Sequence, residues 1–356
     1  MSEPHSHSHL WPGVPLALGS AALFGATPPL SKLLLNGVNP FMLAGLLYLG
    51  AGLGLALYRL LRGRQAAAGE AQLTAGDIPW LALALAIGMG GVIAPVLLLF
   101  GLTLNTASSS ALLLNLEGLA TMAIAWLVYR ENVDRRLLFG AFAILAGAIL
   151  LSWQGEGVAF NRGALMVAGA CLAWGIDNNF TRRISATDPV VIAMLKGLVA
   201  GVVNVGLALA GGALFPPASV IAATAAVGFF GIGVSLVMFI VALRHLGTAR
   251  TGAYYSLAPF IGALLAIAIL GDAVTLKLAA AGVLMGVGLW LHLSERHEHE
   301  HDHEELEHEH SHVHDEHHQH HHDGPVSEPH SHWHRHAPMR HRHPHYPDLH
   351  HRHGHG

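Results

Sequence analysis

The chain of 356 residues is 52% hydrophobic, with Asp, Glu, Lys and Arg at only 12% of positions. That is about half the charged fraction of a soluble domain. The formal net charge of −4 excludes an electrostatic footprint for nucleic acid, and the single cysteine, Cys171, excludes an internal disulfide or a cysteine-based zinc site.

Charge is also segregated along the chain. Residues 10–293 are almost all apolar, Gly or Ala, whereas 295–356 are dominated by His, acidic residues and Arg. A bilayer-embedded body is therefore joined to a solvated tail. Residues 1–11 form a short His-containing segment, and its start, MSEPHSHSHLW, has no basic region ahead of the first apolar run. It does not read as a cleavable signal.

Ten apolar runs follow, near 12–35, 40–61, 78–102, 106–129, 136–153, 163–182, 189–211, 219–243, 249–270 and 274–293. Each approaches the roughly 20 residues needed to cross a hydrocarbon core of ~30 Å as a helix. They are too long for barrel strands and lack a two-residue alternation, so the fold class is all-α integral membrane. In the first run, Thr27-Pro28-Pro29 removes two backbone donors and predicts a break or kink. With a cytoplasmic N-terminus, the inner turns hold Arg59, Arg62, Arg64, Arg130, Arg135, Arg136, Arg182, Arg183, Arg244 and Arg250, against Lys32, Arg162 and Lys277 outside. That bias places both termini in the cytoplasm of a multi-pass cell-membrane protein. Trp126, Tyr129 and Trp153 read as interfacial anchors. The 41 glycines, many in runs such as Gly88-Met89-Gly90-Gly91, suit close helix approach or the lining of a pathway.

The runs also repeat. Thr106-Ala107 through Gly140 returns about 142 residues later as Thr248-Ala249 through Gly282, each with a charged break (Arg130-Glu131; Asp272). Phe24-Gly25 with Lys32 and Asn39-Pro40 is echoed by Trp174-Gly175 with Arg182 and Asp188-Pro189. Five segments therefore occur twice, in 12–153 and 163–293. An odd-numbered unit re-enters the membrane from the opposite side, which gives an inverted repeat with a site between its halves.

On these residues the chain resembles the EamA type of the drug/metabolite transporter superfamily. The resemblance covers 12–293 and rests on the duplicated order of small-residue helix start, acidic break (Glu131, Asp272) and Gly in the next helix (Gly140, Gly282). It implies a secondary carrier that moves small metabolites, often outward. The family pattern places Pro near the middle of helices 4 and 9. Pro259 fits, but the matching position in helix 4 is Glu117. The resemblance therefore does not supply the substrate.

Intramembrane polar groups are the candidate pathway. Glu117 lies near mid-membrane, and Thr106, Ser110, Glu117 and Thr121, spaced 4, 7 and 4, fall on one polar stripe of helix 4. A charge at that depth must be paired, hydrated or protonated. Glu117 is either a proton or substrate site or a structural carboxyl that ties helices together. Asp177, with Asn178 and Asn179, lies about one turn inside helix 6, and Lys196 about two turns inside helix 7. On a helix hairpin they come to matched depth, as a buried pair or as a gate. Lys196 and Asn204 share a face of helix 7 with small residues beside them.

The tail holds 24 of the 29 histidines, including His297, His299, His301 and His303, then His308, His310, His312 and His314. It is too polar to build a core, and the sequence predicts no regular structure there. Imidazoles interleaved with carboxylates suit Zn²⁺, Ni²⁺ or Co²⁺, and the lack of thiolates disfavours Cu(I). The alternative is a solvated tail that gains charge as its histidines protonate. Ser2-Glu3-Pro4-His5-Ser6-His7 recurs at Ser327–His332. The expected partners are the lipid bilayer, a small-molecule substrate and divalent metal ions. No cofactor is required, and no oligomeric state is specified. No nucleophile–base pair or phosphate loop points to an enzyme. Two rival readings are a metal-ion exporter that captures its cargo with the tail, and a metal sensor that no longer transports.

Overall fold

The computed structural model describes residues 12–62, 80–129, 135–153, 161–182 and 189–293 and, in the tail, 298–303, 306–312, 330–336 and 339–344. The break at Arg130-Glu131, the turn at Thr187-Asp188, and His297 and His314 lie outside the described residues. The body and the tail fall into separate units.

Among the described residues the body is built of helices joined by short turns. Its spans are α1 (Gly13–Leu34), α2 (Pro40–Arg62), α3 (Trp80–Leu104), α4 (Ala107–Val128), α5 (Arg135–Ser152), α6 (Arg162–Arg182), α7 (Pro189–Ala210), α8 (Ala218–Ala242), α9 (Thr251–Leu270) and α10 (Leu276–Leu293). Among the described residues, nine of these are long and apolar enough to cross a membrane. The remaining one, α6, carries Asp177, Asn178 and Asn179. Apolar side chains such as Leu57, Leu60, Leu127, Phe139, Phe142, Leu264 and Val283 are exposed on the outer faces of the helices. In water such a surface would be an association patch, whereas in lipid it is matched to its solvent.

Several helix ends are set by local chemistry. Asn39 Oδ1 accepts from the N–H of Phe41 at 2.9 Å and opens α2, with Pro40 at its first position. Gly271 adopts φ 69° and closes α9. Thr106 caps α4 by accepting from Ser109 N–H at 3.3 Å, and Asp272 Oδ2 accepts from Ser108 N–H at 2.8 Å. The acidic break after α9 thus holds the start of α4 in the other half, where a carboxylate also meets the positive end of the helix dipole. Lys32 does the reverse: its ammonium donates to the carbonyls of Leu102 and Asn105 at the end of α3.

Two expectations are corrected. α1 runs unbroken through Pro28 and Pro29. Gly262 of α9 packs directly over Gly25: a Cβ on Gly262 would lie 2.6 Å from the Gly25 carbonyl oxygen, one of the carbonyls that proline frees. The breaks fall elsewhere. α4 is interrupted at Leu114–Asn115 and restarts at Leu116. α3 contains a π-helical stretch, Ile87–Ile93.

Both irregularities recur in the second half. A π-helical stretch spans Phe229–Val234 in α8, and α9 breaks at Ser256–Leu257 and restarts at Ala258. The stretches begin 142 residues apart, and so do the restarts, which is the offset of the sequence repeat. Helix assignment is continuous over Ser235–Tyr255, yet the rings of Phe239 and Tyr255 sit 4.9 Å apart. A straight helix would separate them by about 24 Å at 1.5 Å per residue. The chain therefore folds back between α8 and α9.

The halves pack reciprocally through glycine. Gly25 of α1 lies against Ala258 and Gly262 of α9, and Gly175 of α6 lies against Ala120 and Thr121 of α4. Gly50 of α2 meets Ala225 of α8, and Gly91 of α3 meets Ala200 of α7. Each would place a Cβ within 3 Å of its neighbour, so these crossings need glycine. Cys171 is buried, and its thiol lies 3.6 Å from the Leu113 carbonyl.

In the tail, where the sequence alone predicts no regular structure, four short strands are described. β1 (Glu298–His303) pairs antiparallel with β4 (Met339–Pro344), and β2 (Leu306–His312) with β3 (His330–His336).

Candidate functional site

The break in α4 decides what Glu117 is. It stands in the first turn of the restarted helix Leu116–Tyr129. Carboxylates are favoured at such N-termini because the backbone dipole is positive there. Glu117 Oε1 accepts from Asn178 Nδ2 at 3.0 Å, and the same amide reaches Thr121 Oγ1 at 3.1 Å. Thr121 Oγ1 in turn donates to the Glu117 carbonyl at 2.9 Å. One residue on, Asn179 Nδ2 donates to the Thr121 carbonyl at 3.1 Å and to the Gly175 carbonyl at 2.8 Å. The Glu117 carboxyl is thus held across the α4–α6 crossing by one amide, Asn178, while Asn179 fastens the backbone beside it.

The members of the stripe have different partners on the two sides of the break. Ser110, on the first part of α4, is fully buried, and its hydroxyl has no hydrogen-bond partner. Glu117 and Thr121 come together at Asn178, whereas Thr106 is used as a cap.

Asp177 and Lys196 meet. Lys196 Nζ donates to both carboxylate oxygens at 2.6 Å, and Thr181 Oγ1 adds a third donor at 2.8 Å. Asp177 is 4% exposed, so the pair satisfies a charge that burial would otherwise penalise. It bridges α6 and α7 beside the π-helical stretch of α3, where a Cβ on Gly90 would lie 1.8 Å from Asp177 Oδ2.

That stretch is the hub of the site. π-helical geometry disturbs the α-helical ladder, and the carbonyl of Gly90 accepts from Tyr48 OH at 2.9 Å and from Trp174 Nε1 at 3.0 Å. The next carbonyl, of Gly91, accepts from Asn204 Nδ2 at 3.1 Å. Asn204 is fully buried, and its Oδ1 has no partner. Helices α2, α6 and α7 therefore all fasten to two consecutive glycine carbonyls of α3. Tyr48 and Trp174 belong to the site but were not singled out by sequence as polar partners. The signal available was slight: a phenol in the apolar first part of α2, and a Gly-Met-Gly-Gly run that suits packing as well as a pathway.

The second half does not duplicate this chemistry. Thr27 sits against Gly231 much as Asp177 sits against Gly90, and Pro259 opens the restart that Glu117 opens in α4. Ser20 and Ser235 join α1 to α8 at 2.7 Å. Glu117 and the Asp177–Lys196 pair thus draw on α4, α6 and α7. A cleft of about 630 Å³ between the α1–α2 and α7–α8 turns is lined by Asn36, Asn39, Phe215 and neighbours, with no charged group and none of the residues above.

Among the described residues, no group of three His, Cys, Asp or Glu side chains comes together to hold a metal. His299, His301 and His303 lie on β1, and His308, His310 and His312 on β2.

A membrane-embedded helical body, duplicated with reciprocal packing around one polar cluster, defines a multi-pass transporter. The EamA-like transporter family matches twice, over residues 11–153 and 161–294, and the chain belongs to that family. An uncharacterized transporter of Methanothermobacter thermautotrophicus is 27% identical over 295 residues, covering 79% of this chain and 86% of that one. A solved crystal structure superposes with a TM-score of 0.58 at 20% identity, over 79% of this chain and 95% of the other, a likeness of fold.

Proposed function

We propose that the protein is a secondary active exporter of a small metabolite, working by alternating access and coupled to protons through Glu117. The observation that carries this reading is the position of that carboxyl. It sits at the restart of a broken helix, at the repeat interface, held by an amide that a change in the α4–α6 crossing would withdraw. Protonation removes the charge that must otherwise be solvated. The carboxyl can then cross a dry intermediate that the carboxylate cannot.

In this reading the Asp177–Lys196 pair is the gate beside it. The pair ties α6 and α7 in one state, and its charges are released to water or substrate in the other. Tyr48, Trp174 and Asn204 hold the π-helical stretch of α3 on which that gate closes. Lys32 and Asp272, which fasten the ends of α3 and α4, close the opposite side. The Lys and Arg distribution of the turns supports a cell-membrane protein with both termini cytoplasmic. The tail then faces the cytoplasm and binds a divalent ion as regulator. Metal as cargo is disfavoured because the ligands gathered around Glu117 are amides and hydroxyls rather than the imidazoles and thiolates that borderline metals prefer.

The test is efflux from cells or proteoliposomes, with solutes resolved by mass spectrometry, under an imposed pH gradient. Glu117→Gln mimics the protonated carboxyl and is expected to insert and fold but to lose gradient-driven transport. A mutant that keeps pH-dependent efflux would make Glu117 a structural group.

A further inference from the structure

The surroundings of Glu117 include aromatic rings that the transport reading does not use as ligands. Trp174 and Asn178 are one turn apart on α6 and share a face, so the indole stands beside the carboxyl that Asn178 holds. Tyr48 of α2 donates to the same Gly90 carbonyl as Trp174, which sets the phenol next to the indole. With their polar atoms engaged there, both residues present ring faces. In the other half, Tyr255 is the last helical residue before the break in α9. Its ring lies 5.5 Å from that of Phe24 and 4.9 Å from that of Phe239. All five residues are only part-buried.

The two broken helices bring these linings together. A Cβ on Gly262 of α9 would lie 3.1 Å from the Ala111 Cβ of α4, which marks where the helices cross. The breaks at Leu114–Asn115 and Ser256–Leu257 lie about 5 and 8 Å from that crossing, at 1.5 Å per residue. Both lie on the side away from the Asp272–Ser108 contact. Beyond the breaks the helices take separate partners: Leu116–Tyr129 packs along α6, and Ser235–Tyr255 along α1. Glu117 and Tyr255 thus flank one space, and the phenol lies within the electrostatic reach of the carboxyl. Asn178, bonded to Glu117, is exposed. An exposed amide in that place lines a polar path rather than facing lipid.

The charges of the site are committed unequally. Lys196 donates to both oxygens of Asp177, whereas the donor to Glu117 is the neutral amide of Asn178. A ligand carboxylate or phosphate would meet like charge at Glu117 with Lys196 already engaged. An ammonium group meets a carboxylate and aromatic faces, two features that attract a cation. We infer that the site takes a small organic cation, with a protonated amine on Glu117 and a ring-sized apolar body between the Tyr48–Trp174 and Phe24–Phe239–Tyr255 linings. This rests on the reading of Glu117 as the transport carboxyl and names the class of its cargo. Glu117 reads the charge, in its carboxylate form. The rings read the body, because offset and edge contacts reward a flat group over a short alkyl chain. Phe24 and Tyr255 are therefore specificity residues.

The experiment is isothermal titration of the full-length protein in detergent with phenethylamine, phenylpropanoate and butylamine. The first carries ring and ammonium, the second ring and carboxylate, the third ammonium alone. Phenethylamine is expected to bind about tenfold tighter than either of the others. Phe24→Leu and Tyr255→Leu should each lose about tenfold for phenethylamine and little for butylamine, a pattern that misfolding does not give. Tyr255→Phe keeps the ring and should keep the affinity. Glu117→Gln should weaken both amines by about tenfold or more. Phe41→Leu, from the separate Phe41–Phe100 ring pair, should change none of the three. The proposal is overturned if phenylpropanoate binds as tightly as phenethylamine, if the two Leu variants weaken both amines equally, or if no probe binds the unmodified protein at millimolar concentration. Any of these leaves Glu117 as a proton carrier. That reading falls separately, if Glu117→Gln keeps pH-dependent efflux.

Discussion

Gly90 and Gly88 lie two residues apart in the same π-helical stretch, yet the same substitution meets opposite surroundings. A Cβ on Gly90 would be 1.8 Å from Asp177 Oδ2, 2.3 Å from its Cγ and 2.6 Å from its Cβ. A Cβ on Gly88 meets nothing within 4 Å. Asp is short and buried, so it cannot swing clear as a long side chain would. Gly90→Ala must displace the carboxylate from Lys196, 2.6 Å away, or push α3 off α6. Overpacking alone costs about 1–3 kcal/mol. Stranding one charge of a buried pair costs about 3–5 kcal/mol. Gly88→Ala removes helix-destabilising backbone freedom and gains up to about 1 kcal/mol.

The assay is the apparent unfolding midpoint in detergent together with initial transport rate, for both variants side by side. Gly90→Ala should unfold at lower temperature and lose transport, and Gly88→Ala should match or exceed the parent in stability. Repeating Gly90→Ala on the Asp177→Asn/Lys196→Met background should cost less, because no ion pair remains to be separated. Equal tolerance of the two alanines would refute the placement of α3 against Asp177, and with it the proposed gate.

Other outcomes follow from the same geometry. Asp177→Asn and Lys196→Met should each impair expression or transport more than the double variant, and additive losses in the cycle would show that the two charges do not couple. Asp272→Asn should lower stability by about 0.5–2 kcal/mol by weakening the cap on Ser108, without altering the pH profile of transport; the unfolding midpoint and that profile together check it. Asn178→Leu should abolish transport while leaving the Asp177–Lys196 contact in place, read as loss of efflux with little change in the unfolding midpoint. Reporter fusions after Asn39 and Gly212 should lie outside and those after Arg64 and Arg183 inside; a cytoplasmic signal at Gly212 would contradict the inverted repeat.

The sequence by itself determined a great deal here, because in a bilayer the physics is severe. Every backbone polar group must be paired within its own segment, so long apolar runs have one solution, the helix. The Thr-Ala and Phe-Gly echoes at fixed offsets were enough to give the repeat. A hairpin turning near Pro189 was enough to bring Asp177 and Lys196 to one depth, since the rise of a helix is fixed. The tertiary structure decided what depends on departures from that regularity. Pro28 and Pro29 marked a break or a kink; the helix assignment runs on through them, with Gly262 of α9 packed over the freed Gly25 carbonyl. The real break, at Leu114–Asn115, carries no proline or glycine, so nothing local announced it, and it falls between Ser110 and Glu117 of the stripe that helical periodicity had drawn from Thr106 to Thr121. Tyr48 and Trp174 entered the site only because a π-helical stretch offers the Gly90 carbonyl to donors 42 and 84 residues away. Periodicity is a one-dimensional property of a helix that stays regular. Where helices break, or cross at glycine, the partner chosen is a matter of three-dimensional packing.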